Sequence, residues 1–128
     1  MSRYVIDTSA WIEYFDASNK GHQVRKLLDE GANEMITNLI ICAEAISVVK
    51  RRGWDDAEAF EQILSHSSIF NGDINFAREA GLLHAEVRKS IKDFALADAF
   101  VLATARRLGA MILTTDPHFR GFKEAVLI

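Results

Sequence analysis

Short apolar runs and stripes of apolar residues at helical spacing take turns along this chain. Tyr4-Val5-Ile6 has the length of a buried strand and is stopped by the polar group Asp7-Thr8-Ser9, beyond which Trp11, Ile12, Tyr14 and Phe15 fall at helical spacing. Asp16 to Asn19 reads as a turn and cap, and Val24, Leu27 and Leu28 give the next helix an apolar face ending near Gly31. Met35-Ile36-Thr37 is a second strand. From Leu39 to Val49 the residues are apolar almost all round, which predicts a helix buried on most sides and closed by Lys50-Arg51-Arg52-Gly53. The pattern then predicts a helix over Trp54 to Leu64, a third strand at Ser68-Ile69-Phe70, and a helix capped by Asp73 that carries Phe76, Ala80, Leu83 and Val87. Asp93 precedes the strongest helical pattern, Phe94 to Leu108, whose end is marked by Arg106-Arg107 and Gly109. Met111-Ile112-Leu113-Thr114 resembles a strand covered on both faces, and Ala125-Val126-Leu127-Ile128 a final edge strand.

Strands alternating with helices, with no repeat or Pro-rich linker, predict a single α/β domain over residues 1–128, built on a parallel sheet. Its 128 residues, 49% apolar and 26% charged, suit one soluble core, and no apolar run reaches the length of a membrane span. Met1-Ser2-Arg3 lacks the features of a signal peptide, and Cys42 is the single cysteine, so neither an intrachain disulfide nor a cysteine metal cage can form. A reduced cytoplasmic setting is expected, with Cys42 as a small core filler.

Most of the eighteen acids sit among other polar residues or on helix faces that can point to water. A carboxylate inside an apolar run either pays several kcal/mol in desolvation or has a partner that offsets it. Four acids stand in such places. Asp7 ends the first strand, and Asp116 follows the strand Met111 to Thr114. Glu44 has Ile40 and Val48 one turn away, and Asp98 has Phe94 and Leu102, so both are expected to point inward. In an open parallel sheet ligands sit outside the carboxyl ends of the strands, where all four acids can converge. Such a pocket holds a formal −4 that needs protons or cations to persist, and its oxygen-only ligands suit Mg²⁺ or Mn²⁺ better than zinc. The chemistry this points to is metal-dependent hydrolysis of a phosphodiester. Each acid alone also fits a plainer role: Asp7 or Asp116 as a helix-start residue, Asp98 as a favourable charge in a first turn, Glu44 as an exposed side chain.

The motifs Tyr4-Val5-Ile6-Asp7-Thr8-Ser9-Ala10-Trp11, Ala43-Glu44, Leu96-Ala97-Asp98-Ala99-Phe100-Val101-Leu102-Ala103-Thr104-Ala105 and Ile112-Leu113-Thr114-Thr115-Asp116-Pro117-His118-Phe119 together resemble the PIN-domain nucleases, and within them the VapC-like toxins of type II toxin–antitoxin pairs. The resemblance covers nearly the whole chain. It implies a three-layer α/β/α sandwich with a mostly parallel central sheet, dependence on Mg²⁺ or Mn²⁺, and cleavage of RNA. It also implies a homodimer inhibited by a cognate antitoxin. The family's acidic quartet maps onto Asp7, Glu44, Asp98 and Asp116 as catalytic and metal-binding residues, and Thr8, Ser9 and Thr115 match positions of supporting hydroxyls. Trp54 to Ile91 carries no diagnostic residue.

Lys50, Arg51 and Arg52 are candidate contacts for an RNA backbone, although cations at a helix C-terminus are also expected from the helix dipole. His22, His66, His84 and His118 show no metal spacing and read as surface or packing residues. A phosphoacceptor signalling domain shares the length and the acid cluster, but it wants adjacent acids after the first strand and a late lysine, and this chain has neither. An RNA-processing nuclease without a toxin role is the other alternative. The net charge of −3 excludes a strongly basic gripping surface; setting the four acids aside leaves a formal +1 for the rest, which permits an RNA partner.

Overall fold

In the computed structural model, which describes residues 2–128, each apolar run becomes a strand of one sheet. Strand β1 (Arg3–Ile6) leads into helices α1 (Thr8–Asp16) and α2 (Asn19–Asp29), and β2 (Glu34–Asn38) into α3 (Leu39–Arg51) and α4 (Asp56–His66). Strand β3 (Ser68–Phe70) is followed by α5 (Ile74–Val87) and α6 (Leu96–Leu108), and β4 (Met111–Thr114) reaches β5 (Ala125–Leu127) through a short 3-10 turn at Pro117–Phe119. All pairings are parallel, in the order β3-β2-β1-β4-β5. Val5 sits opposite Ile36 of β2 on one side and Ile112 of β4 on the other. These residues are buried, as a sheet covered by helices on both faces demands, and the architecture is the three-layer α/β/α sandwich. Among the described residues no helix is long and apolar enough to cross a membrane.

The topology decides where a site can form. From β1 the chain steps outward to β2 and β3, then α5 and α6 carry it back to β4 on the opposite side of β1. The helices on either side of that reversal diverge, which opens a crevice above the carboxyl ends of β1 and β4. Below it the core is close-packed: Trp11, Ile41, Phe94, Leu102, Leu113 and Phe119 are fully buried in one cluster. The Trp11 indole donates to the Thr37 hydroxyl at 3.2 Å, satisfying its one polar atom. Helix α2 lies so close to the end of α1 that a Cβ at Gly21 would stand 2.0 Å from the Glu13 carbonyl oxygen, so the crossing requires glycine.

Several boundaries differ from the sequence pattern. The helix expected from Phe94 starts at Leu96, because Phe94 turns into the core against Phe119 and Phe122 while Ala95 stays extended. Asp93 therefore caps nothing. The helix expected from Trp54 starts at Asp56, where Asp55 supplies the cap by accepting the Glu58 amide at 3.1 Å. Helix α3 is not buried on most sides: it buries only Ile41, Ala45 and Val49, and Leu39 is 53% exposed. Cys42 is accordingly half-buried, beside a groove between α3 and α4, rather than a core filler.

Candidate active site

Asp7 stands where β1 ends, with its amide bonded to the Leu113 carbonyl of β4 at 2.9 Å. It occupies the N-cap position of α1, yet its side chain makes no capping bond. The Oδ2 atom instead accepts the hydroxyls of Thr114 at 2.7 Å and Ser9 at 3.1 Å, and the residue is 4% exposed. Ser9 also accepts the Thr115 amide at 3.0 Å, so the first turn of α1 and the end of β4 are locked around this one carboxylate. Asp116 lies just past β4, where its amide donates to the Thr114 hydroxyl and its Oδ1 accepts the His118 amide, both at 2.9 Å. Here the plainer role is also real, since Asp116 caps the 3-10 turn that opens with Pro117.

Helices bring the other two acids. Asp98, half-buried in the first turn of α6, accepts the Ala95 amide at 3.2 Å. Glu44 is exposed rather than inward-pointing, because the buried stripe of α3 runs through Ile41, Ala45 and Val49 and leaves Glu44 on the neighbouring stripe. Its Oε1 accepts the Thr8 hydroxyl at 2.9 Å. Asp7, Glu44, Asp98 and Asp116 all line one cleft of about 390 Å³, together with Thr8, Ser9, Thr115, Glu13, Val48 and Arg52.

The electrostatics of this cleft call for a cation. Burial pushes the Asp7 carboxyl up to about 6 against the pull of its two hydroxyl partners, and the charge of Asp98 pushes the same way. Asp98 is raised as well, chiefly by desolvation, with Asp116 and Glu44 contributing repulsion. Among the described residues, Asp7 Oδ2, Glu44 Oε1, Asp98 Oδ2 and Asp116 Oδ1 accept hydrogen bonds that hold each carboxylate in place, and the Thr8 amide also bears on Asp7. Ligand atoms of Asp98, Asp116 and His118 lie within 4.8 Å of one another, close enough to share an ion. The His118 nitrogens already face Asp93 and Asp116, and the carboxylates that remain are a set of hard oxygens that fits Mg²⁺ or Mn²⁺.

Residues 4–125 match the PIN domain family. The chain belongs to the PIN-domain family. Ribonuclease VapC11 of Mycobacterium tuberculosis and a VapC ribonuclease of Mycobacterium bovis are each 31% identical to it over 121 residues, 90% of this chain and 87% of theirs, which places this PIN domain among the VapC-like nucleases. Solved structures share the fold. DNA-bound VapBC from Salmonella typhimurium superposes with a TM-score of 0.76 at 18% identity, covering 100% of this chain and 98% of the other. VapC20 of Mycobacterium tuberculosis, a sarcin-ricin loop cleaving toxin, gives 0.73 at 18% identity, covering 94% and 95%.

Within this PIN domain two residues matter that the sequence pattern does not single out. Thr114 is fully buried and grips Asp7, whereas the Thr115 side chain lines the cleft and its amide, not its hydroxyl, joins the network. His118 is no surface bystander: Nε2 lies 2.9 Å from Asp93 Oδ2 and Nδ1 lies 3.2 Å from Asp116 Oδ1. Asp93, 25 residues away, draws the imidazole pKa upward, and Asp116 adds to it. The three consecutive cations separate. Lys50 pairs with Asp56 at 3.5 Å and Arg51 approaches Ser47, while Arg52 reaches the cleft wall.

Proposed function

We propose that this PIN domain is an endoribonuclease that hydrolyses RNA phosphodiesters with Mg²⁺ or Mn²⁺ held by Asp7, Glu44, Asp98 and Asp116. The observation that carries this reading is the convergence of four carboxylates on one cleft around a buried Asp7 that, among the described residues, has hydroxyl partners but no cationic one. When bound, a divalent ion makes water a competent nucleophile near neutral pH and offsets charge building on the phosphate. The protein's own share is orientation: Thr114 and Ser9 aim Asp7, Thr8 fixes Glu44, the Ala95 amide fixes Asp98, and the His118 amide fixes Asp116. Held before any substrate arrives, these groups need little rearrangement on binding, which is how a preformed polar site lowers a barrier.

The same reading makes the chain the toxin of a toxin–antitoxin pair, restrained by an antitoxin protein. Support comes from the VapC ribonucleases that match it over most of both chains, and from solved VapBC complexes that share its fold. A homodimer is part of the proposal, and exposed Ile74 and Leu82 on α5 and Leu96 on α6 supply apolar surface for it. Incubating the protein with tRNA, ribosomal RNA fragments and messenger RNA, with Mg²⁺ or Mn²⁺ present or chelated, tests the activity. Metal-dependent internal cuts are expected; a protein that cuts none of these under any metal condition contradicts the reading.

A further inference from the structure

We propose that Arg52, seated on the Trp54 ring, binds the RNA phosphate that neighbours the scissile one. This deepens the ribonuclease reading and rests on it. Glu44 and Val48 lie on one stripe of α3, which Arg52, the residue capping the helix's C-terminal end, continues, and all three line the acid cleft. Arg52 is thus the cation in the wall of a cleft that otherwise carries Asp7, Glu13, Glu44, Asp98 and Asp116. An RNA strand threading such a cleft brings further phosphates toward those acids, and the positive charge on the wall is the feature that favours its approach.

The local backbone holds that charge in place. Gly53 takes a left-handed conformation with φ of 74°, which only glycine adopts without strain, and its amide bonds back to Lys50. The turn folds Trp54 back so that its amide donates to the Val49 carbonyl at 3.0 Å, and the Arg52 guanidinium lies 5.1 Å from the Trp54 ring centroid. A stacked guanidinium keeps its N–H donors free at the edge while losing rotamer freedom in advance, so a phosphate can be taken up in a two-pronged contact at small entropic cost. No carboxylate pairs with Arg52 among the described residues, in contrast to Lys50 beside Asp56. Its neighbours in sequence serve as built-in controls, because Arg51 ends the same helix but is absent from the cleft wall.

Steady-state cleavage of a fluorophore–quencher-labelled single-stranded oligoribonucleotide of mixed sequence, over a series of salt concentrations, tests the assignment. Arg52→Ala is expected to raise KM by about tenfold, the scale of one charge-assisted contact. Its kcat and the Mn²⁺ concentration for half-activation should stay within twofold of the parent, and the slope of log KM against log salt should fall by about 0.7, the counterion share of one single-strand phosphate. Arg52→Lys recovers part of the loss, Trp54→Leu raises KM to an intermediate degree, and Arg51→Ala changes nothing. Calorimetric Mn²⁺ binding to Arg52→Ala, measured without RNA, should match the parent. The inference is overturned if Arg52→Ala leaves KM and the salt slope unchanged, or if Arg51→Ala raises KM and lowers the slope as much as Arg52→Ala does. A parent protein that cleaves no RNA sinks the underlying reading instead, so the two failures are distinguishable.

Discussion

The side-chain amide of Asn38 donates to the Thr104 hydroxyl at 3.1 Å, and this contact joins the helix that carries Glu44 to the helix that carries Asp98. Asn38 Oδ1 meanwhile accepts the Ile41 amide at 2.7 Å and so caps α3, while the Thr104 hydroxyl donates to the Phe100 carbonyl at 2.6 Å. Both residues are almost fully buried. One polar pair therefore sets the start of α3 against the middle of α6, beneath the cleft.

Replacing Thr104 by Val keeps the shape and the Asn38 cap but leaves the Asn38 side-chain amide only its long 3.4 Å contact with the Phe100 carbonyl. Weakening a buried donor's bonding costs about 1–3 kcal/mol, so the melting temperature should fall by roughly 4–11 °C. Mn²⁺ affinity measured by calorimetry should weaken with it, because Glu44 and Asp98 lose their common anchor. Thr104→Ser should restore both. Unchanged melting and unchanged affinity in Thr104→Val would show that the pair does not position the helices.

Asp7 makes the metal-free protein sensitive to pH. Its folded pKa is raised from the ordinary 3.8 to about 6, so the fold binds its proton more tightly than the unfolded chain does. Stability from this residue is greatest below the ordinary carboxylate pKa, declines as pH rises from there through about 6, and is level above that. Asp7→Asn removes the penalty. In chelator at pH 7 the variant should be more stable than the parent by on the order of 1–3 kcal/mol, with little difference at pH 4, while losing cleavage entirely. Thermal melts at the two pH values check this, and a variant less stable than the parent at pH 7 in chelator would show that Asp7 is not strained by burial.

His118 moves stability with pH in the same direction as Asp7. Asp93 at 2.9 Å raises its pKa above the ordinary 6.5, so the pair contributes stability below that value, and the contribution is lost as pH climbs through the folded pKa. NMR titration of the imidazole in metal-free protein should therefore show a midpoint above that of a free histidine. Asp93→Asn should bring the midpoint down. An unchanged midpoint in the variant would assign the shift to Asp116 instead.

Much of this site is legible in the chain because a carboxylate at the end of an apolar run is costly unless it has a task. Asp7 and Asp116 announce themselves that way, and parallel pairing of β1 with β4 then places them on one rim. Glu44 is legible as a residue but not in its exposure. The helical phase of α3 depends on which stripe the sheet selects, and Ile41, Ala45 and Val49 win that competition. Thr114 looks like strand filler until its hydroxyl is seen against Asp7. His118 becomes significant only when Phe94 enters the core and strands Asp93 outside α6, an arrangement set by tertiary packing rather than by local spacing.

The central claim, that these carboxylates hold a divalent ion which RNA cleavage requires, is tested most directly by adding Mn²⁺ stepwise to chelator-stripped protein and following cleavage of a labelled RNA. The parent should show no cleavage at the start and a saturable recovery, while folded Asp98→Asn recovers none at the same concentrations. Cleavage that survives chelation, or that Asp98→Asn supports at the parent's rate, would contradict it.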